Sequence, residues 1–137
     1  MHCIFCSIIK KEIKSEIIYE DNYTIAFLDI APISSGHVLV IPKLHFTNLT
    51  ETDPLMLAYV MQSAQKIAGA MAKALKLSGY NILINNGAVA GQIIDHFHLH
   101  IIPRRAKDGL EAWPQGEYQA SEAGQIAKKI IASLPKS

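Results

Sequence analysis

The stretch Ile94-Asp95-His96-Phe97-His98-Leu99-His100-Ile101-Ile102 decides how this chain is read. Histidine alternates with apolar residues, and three of the chain's 6 histidines fall inside it. Side chains alternate across a strand, so the pattern predicts a strand over Ile94–Ile102. Phe97, Leu99 and Ile101 then face a core, and the three imidazoles project from the other face. Imidazole serves as nucleophile, acid, base or metal ligand near neutral pH. The plain alternative, three solvated histidines on an open face, fits poorly with a strand whose back is apolar. The ends of the row lie about 13 Å apart at the rise of a strand, too far to meet one ion without distortion. The row is therefore expected to divide its duties between a metal at one end and chemistry along the rest.

Working outward, Tyr80–Asn85 reads as the preceding strand, joined through a glycine-containing loop from Asn86-Gly87 to Gly91-Gln92. Thr52 or Asp53 caps a helix with Pro54 in its first turn. Leu55, Met56, Tyr59, Val60, Ala64, Ile67, Met71 and Leu75 form its apolar stripe, and the helix is expected to run to about Leu77. Upstream, Phe5–Glu12 reads as a short helix, and Glu16–Glu20 and Tyr23–Asp29 as strands. His37–Ile41 is a third strand stopped by Pro42, and Ser121–Leu134 a C-terminal helix. The order predicts an α+β domain: a mainly antiparallel five-stranded sheet carrying one long helix. A single domain over residues 1–137 is expected, with its core at about 3–116 and a tail over 117–137.

The chain has 137 residues, 50% hydrophobic and 18% charged, a composition that excludes disorder. A net charge of +1 and the lack of a basic cluster argue against nucleic-acid and membrane-surface binding. No apolar run reaches the roughly 18 residues of a membrane span. The N-terminus lacks the pattern of a secretory signal, so a cytoplasmic location is expected. There, Cys3 and Cys6 in Cys-x-x-Cys spacing read as a metal half-site or a redox pair rather than a disulfide staple.

Other residues draw two readings each. Cys3 and Cys6 with His45 and one triad histidine make a good tetrahedral zinc set, or else two packed cysteines and a surface histidine. The loop Asn85–Gln92 can present N–H groups to an anion, or can be an ordinary Asn-Gly hairpin turn. Asp29 ends a strand, where it suits sugar hydroxyls or merely a turn. Trp113-Pro114 is either a surface tryptophan or part of an arm reaching a neighbouring subunit.

Together these residues resemble the histidine triad (HIT) family of nucleotide hydrolases and transferases, most closely its nucleotide-binding branch. The family pattern His-φ-His-φ-His-φ-φ, with φ apolar, is met by His96 to Ile102. Phe27-Leu28-Asp29-Ile30, Gly36-His37-Val38-Leu39-Val40-Ile41-Pro42-Lys43, Asn85-Asn86-Gly87 and Gly91-Gln92 look like family blocks in family order. The resemblance implies a homodimer whose two sheets join into one of ten strands. It implies a phosphoramidase or nucleotidyl hydrolase that cleaves purine nucleotides of the AMP or GMP type at the α-phosphate. His98 would be the nucleophile, forming a nucleotidyl-histidine. His100 would contact phosphate oxygens, His37 would orient the cluster, and His96 would hold the strand or bind metal. The second nitrogen of His98 is expected to donate to a carbonyl of the glycine loop.

By the same resemblance Asp29 binds the ribose, and Phe5, Ile8, Phe27, Ile30 and Leu39 surround the base. Asn85, Gly91 and Gln92 belong to the phosphate loop. Cys3, Cys6, His45 and His96 match the structural zinc ligands of some members, and Trp113 matches an arm residue near the partner's site. No catalytic metal is required. Ile93 departs from the family, standing where many members carry Ser or Thr, and Leu28 replaces a polar residue of some members. Both bear on the leaving group and on substrate preference. Alternative readings are a dinucleoside polyphosphate hydrolase, a nucleotide-binding regulator with weak hydrolysis, and a zinc-stabilised interaction module.

Overall fold

A computed structural model describes residues 2–136. Among these, α1 (Ile4–Ile9), β1 (Ile17–Glu20), β2 (Thr24–Leu28), β3 (Val38–Pro42), α2 (Pro54–Ala74), β4 (Gly79–Leu83), β5 (Leu99–Arg104) and α3 (Glu122–Ser133) follow one another. The five strands form one sheet in the order β1-β2-β3-β5-β4, and every pairing is antiparallel. No helix among the described residues is long and apolar enough to cross a membrane.

Period-two patterning assigns the faces. Ala26, Val38, Val40, Leu99 and Ile101 join Val60, Ala64, Ile67, Ala68 and Met71 of α2 in one buried cluster. Ile25, Phe27, Leu39 and Ile41, one residue out of phase, meet Phe5 and Ile8 of α1 in a second cluster on the opposite face. The sheet is thus covered by the long helix on one side and by the short N-terminal helix on the other. Asp53 caps α2 by accepting the Leu55 N–H at 2.8 Å, and Pro54 occupies the first turn. Met56, Val60, Ala64, Ile67, Ala68 and Met71 are buried together with Ser63, while Leu55 and Leu75 are exposed. The helix ends at Ala74, three residues short of the reading from periodicity, because Lys76 takes a left-handed φ of 54°.

Three boundaries differ from the sequence reading in ways that matter. α1 stops at Ile9, and Lys11 turns left-handed at φ 63°. β3 does not stop before Pro42 but includes it, paired with Thr24. A proline is tolerated at a strand end because no neighbour needs its missing N–H. Most important, β5 begins at Leu99 rather than Ile94. The β3–β5 ladder reaches only Val40↔Leu99. The Phe97 N–H leaves the sheet to donate to the Phe46 carbonyl at 2.6 Å. Only His100 of the three histidines therefore lies in the strand. His96 and His98 sit in the irregular lead-in, free to take directions that a pleated ladder would forbid.

Candidate active site and metal centre

His98 and His100 lie on the α1 face of the sheet, as parity with Leu39 requires. His37, just before β3, falls on the same face. His37 Nε2 is 2.9 Å from His100 Nδ1, and the His98 and His100 ring centroids are 4.9 Å apart. Phe5 of α1 meets His98 edge-on at 5.2 Å, so the apolar cluster of Phe5, Ile8, Phe27 and Leu39 abuts the histidines.

Backbone groups settle where each ring carries its hydrogen. The Ile33 N–H donates to His37 Nδ1 at 3.1 Å, so that nitrogen is bare and Nε2 of the neutral ring carries the hydrogen. His37 Nε2–H then donates to His100 Nδ1, which leaves the His100 hydrogen on Nε2. That Nε2 is buried and has no partner among the described residues, a donor waiting for an acceptor. His98 Nδ1 lies 2.7 Å from the His96 carbonyl. A carbonyl only accepts, so Nδ1 carries the hydrogen and Nε2 presents a lone pair. His96 Nε2 lies 3.0 Å from the Pro42 carbonyl, which leaves His96 Nδ1 bare. The carbonyl was expected from the glycine loop; it belongs to His96 itself, two residues away in the same run.

Burial keeps these rings neutral. It pushes His96 down to about 4 and His100 down to about 4, where neighbouring histidines add to the effect in both cases. His37 and His98 are lowered for the same first reason, opposed in part by the Asp29 carboxylate. Asp29 Oδ2 lies 3.8 Å from His37 Nε2, and Oδ1 accepts the Ala31 N–H at 2.9 Å. Sequence reading assigned Asp29 to a sugar and missed its closeness to the histidine pair.

The other end of the row has a different chemistry. Cys3, Cys6, His45 and His96 each offer one ligand atom, all within 4.8 Å of one another. His96 Nδ1 is 3.5 Å from Cys3 Sγ, 3.6 Å from Cys6 Sγ and 3.1 Å from His45 Nδ1. Cys6 Sγ is 3.4 Å from His45 Nδ1. A tetrahedron with Zn–S of about 2.3 Å and Zn–N of about 2.05 Å has S···N edges of about 3.5 Å and N···N edges of about 3.3 Å. The donor set, its spacing and the bare Nδ1 of His96 therefore fit zinc. Asp29, His37 and His100 also come within 4.8 Å, yet they do not fit a metal. Binding through His37 Nε2 would force the hydrogen onto Nδ1, against the Ile33 N–H.

The remaining predicted residues divide. Gln92 is buried and fully engaged: Oε1 accepts the Gly87 N–H at 2.9 Å, and Nε2 donates to the Thr47 and Ile94 carbonyls at 2.7 and 3.1 Å. It braces the loop. Gly91, at φ 93°, sits where a Cβ would come 3.5 Å from the Asn85 amide, so these two do meet. Ile30 is 93% exposed and lies outside the cluster formed by the other four apolar residues. Ile93 is 88% exposed and offers no hydrogen to a ligand. Trp113 borders a cavity of about 410 Å³ with Ile33, Ile82, Ile102 and Leu110, on the α1 side of β4. The Pro42 carbonyl and the Ile33 N–H carry no signal in sequence, because any residue supplies such groups.

The HIT domain family model matches residues 10–107. The chain is 44% identical to a Saccharomyces cerevisiae protein named adenosine 5'-monophosphoramidase, over 98% of this chain and 84% of that one. A HIT family protein from Bacillus subtilis has a crystal structure similar to this one, with TM-score 0.93 and 39% identity over 100% of both chains. A histidine triad family protein from Mycobacterium smegmatis, described as Zn-bound, matches with TM-score 0.77 and 37% identity over 97% of this chain and 99% of that one. With the triad, the fold and the family model in agreement, this chain belongs to the HIT family of histidine triad proteins.

Proposed function

We propose that the protein hydrolyses purine nucleotides at the α-phosphate, as a nucleoside phosphoramidase or nucleotidyl hydrolase, through a covalent nucleotidyl-His98 intermediate. The observation that carries this is the 2.7 Å bond from His98 Nδ1–H to the His96 carbonyl, which leaves Nε2 bare. In the first step the Nε2 lone pair forms a bond to phosphorus, and the bond from phosphorus to the leaving group breaks. The imidazole becomes cationic, and the carbonyl beyond Nδ1–H is oriented to stabilise that charge. His100 Nε2–H, buried and unpartnered, donates to a phosphoryl oxygen as charge develops there. A water oxygen then bonds to phosphorus and loses a proton to solvent, and the bond from phosphorus to His98 Nε2 breaks with its electron pair returning to the nitrogen.

The nucleotide fits the α1 side of the sheet. Phe5, Ile8, Phe27 and Leu39 offer an apolar seat for the base, with Ile30 at its rim. Asp29 takes the ribose hydroxyls, and Asn85, Gly91 and the loop that Gln92 braces face the phosphate. The name of the yeast relative, an adenosine 5'-monophosphoramidase, supports the same reaction class. Ile93 supplies no proton to a leaving amine, and neutral His100 has none to give, so a leaving amine must take its proton from water.

A structural zinc at Cys3, Cys6, His45 and His96 goes with this reading. It would hold the N-terminus against the lead-in to β5 and supplies no step of the reaction. Its reduced thiolates suit a cytoplasmic setting. A single domain with its core at about 3–116 and a homodimer joined at β4 complete the proposal.

The deciding experiment is His98→Ala. We expect loss of turnover and of any trapped nucleotidyl adduct, with folding and nucleotide binding kept. Undiminished turnover would reject the nucleophile. Kinetics on an adenosine phosphoramidate beside a dinucleoside tetraphosphate separate the phosphoramidase from the polyphosphate hydrolase.

A further inference from the structure

His96 belongs to both sites at once. Its ring faces Cys3, Cys6 and His45 through Nδ1, and donates through Nε2–H to the Pro42 carbonyl. Its main-chain carbonyl holds the His98 hydrogen on Nδ1. We propose that His96 is a positioning residue linking the two. Occupancy of the Cys3/Cys6/His45/His96 site by zinc would then decide how completely His98 holds its reactive tautomer. The inference rests on the zinc reading above and goes beyond it, because it gives a structural ion control over the nucleophile.

The argument turns on one peptide unit. The His96 carbonyl and the Phe97 N–H belong to the same plane. No sheet ladder fixes that plane, since β5 pairing begins at Leu99. One handle on it is the Phe97 N–H to the Phe46 carbonyl at 2.6 Å. The other handle is the buried His96 side chain. Phe46 follows His45, and His45 Nδ1 lies 3.1 Å from His96 Nδ1. Segments 45–46 and 96–97 are therefore joined twice, once by a backbone hydrogen bond and once at the four-donor site.

A metal at that site locks both segments, and with them the direction of the carbonyl that His98 needs. With the metal gone, His45 is an exposed side chain with no covalent tie to His96. The second join is then only a hydrogen bond between rings. The carbonyl gains freedom to turn away, and His98 can carry its hydrogen on Nε2, where it has no lone pair to offer phosphorus. Metal-bound histidines are commonly oriented by a carbonyl on their other nitrogen, as Pro42 does here. The same residue's carbonyl passes that orientation one step further.

The test compares zinc-loaded protein with protein stripped by a chelator under reducing conditions, both checked for metal by mass spectrometry and for fold by circular dichroism. Nitrogen-15 NMR of the His98 ring reads the tautomer directly. We expect stripping to reduce the Nδ1–H form of His98 and to lower kcat about tenfold or more, with KM changed less than about twofold. Added Zn²⁺ should restore both, and Cys6→Ser should show the same pattern in proportion to the metal it loses. A folded, metal-free protein with unchanged kcat and unchanged His98 tautomer overturns the inference and leaves the zinc reading standing. A reduced protein that takes up no Zn²⁺ overturns the zinc reading and this inference with it. If stripping unfolds the chain, Co²⁺-loaded protein decides. Forming the nucleotidyl adduct should shift the cobalt absorption bands in the native sequence and not in His98→Ala, and bands blind to the adduct overturn the link.

Discussion

At the scale of residues, the proposed catalytic face depends on where three hydrogens sit, and single substitutions address them. His37→Ala removes the donor that holds His100 Nδ1 as an acceptor. His100 is then free to move its hydrogen off Nε2, and kcat should fall about 10²-fold, a usual size for a positioned acid–base group, with KM little changed. Steady-state kinetics checks this, and an unaltered kcat would dismiss the relay. The acid limb of kcat/KM follows from burial. His98 is lowered from 6.5, so Nε2 stays bare below the usual histidine range. The acid limb of the kcat/KM profile should therefore lie below 6.5, and a limb at or above 6.5 would contradict the burial of His98. The identity of these residues was legible in the sequence, because spacing placed His98 and His100 together and the resemblance to the histidine triad family added His37. Their hydrogens were not legible. Two of the three settling partners are main-chain groups, of Ile33 and His96, and position along the chain says nothing of where a carbonyl points.

At the scale of elements, alternation identified the strand faces correctly and misjudged where β5 begins. The pattern His-Phe-His-Leu-His continues the period of a strand, yet pairing stops at Leu99. Periodicity reports which way side chains point, and an extended lead-in keeps that sense without a ladder. Gln92 illustrates the same limit: the family resemblance put it in a phosphate loop, while its three hydrogen bonds go to Gly87, Thr47 and Ile94. Gln92→Ala should cost about 1–3 kcal/mol by leaving those groups unpaired, read as a drop in the denaturant midpoint. The turn into β3 depends on Gly36, at φ 96°, where an added Cβ would come 2.7 Å from Leu75 Cδ1. Gly36→Ala should destabilise by about 2 kcal/mol from the left-handed backbone alone, and equal stability would show that the turn relaxes.

At the scale of the whole molecule, two sheet edges are open, and they differ. β1 carries Glu20, tied to Lys11 and Lys43 at 2.6 and 2.8 Å, charges that blunt an edge. β4 exposes Tyr80 and Ile82 beside the cavity that Trp113 borders, where Trp113 itself is 83% exposed. The proposed homodimer would therefore pair two β4 edges, and Ile82→Lys should shift its sedimentation from dimer to monomer. An unmoved sedimentation coefficient would place the contact elsewhere. Stability should also respond to pH as a collective property. His100 and its neighbours bind protons more readily unfolded, at the usual 6.5, than folded, where His100 sits at about 4. Stability is then fully present above pH 6.5 and is lost as pH falls toward 4, which thermal unfolding across that window would show as a falling Tm. The settling of the catalytic hydrogens by main-chain groups has a wider consequence. Most side-chain replacements at Ile33 leave its N–H in place, so the site can drift in sequence there without losing its protons. Ile33→Pro, or one residue inserted between Ile33 and His37, would scramble them while every histidine remained. The chemistry of this protein is written in the path of the chain as much as in the letters along it.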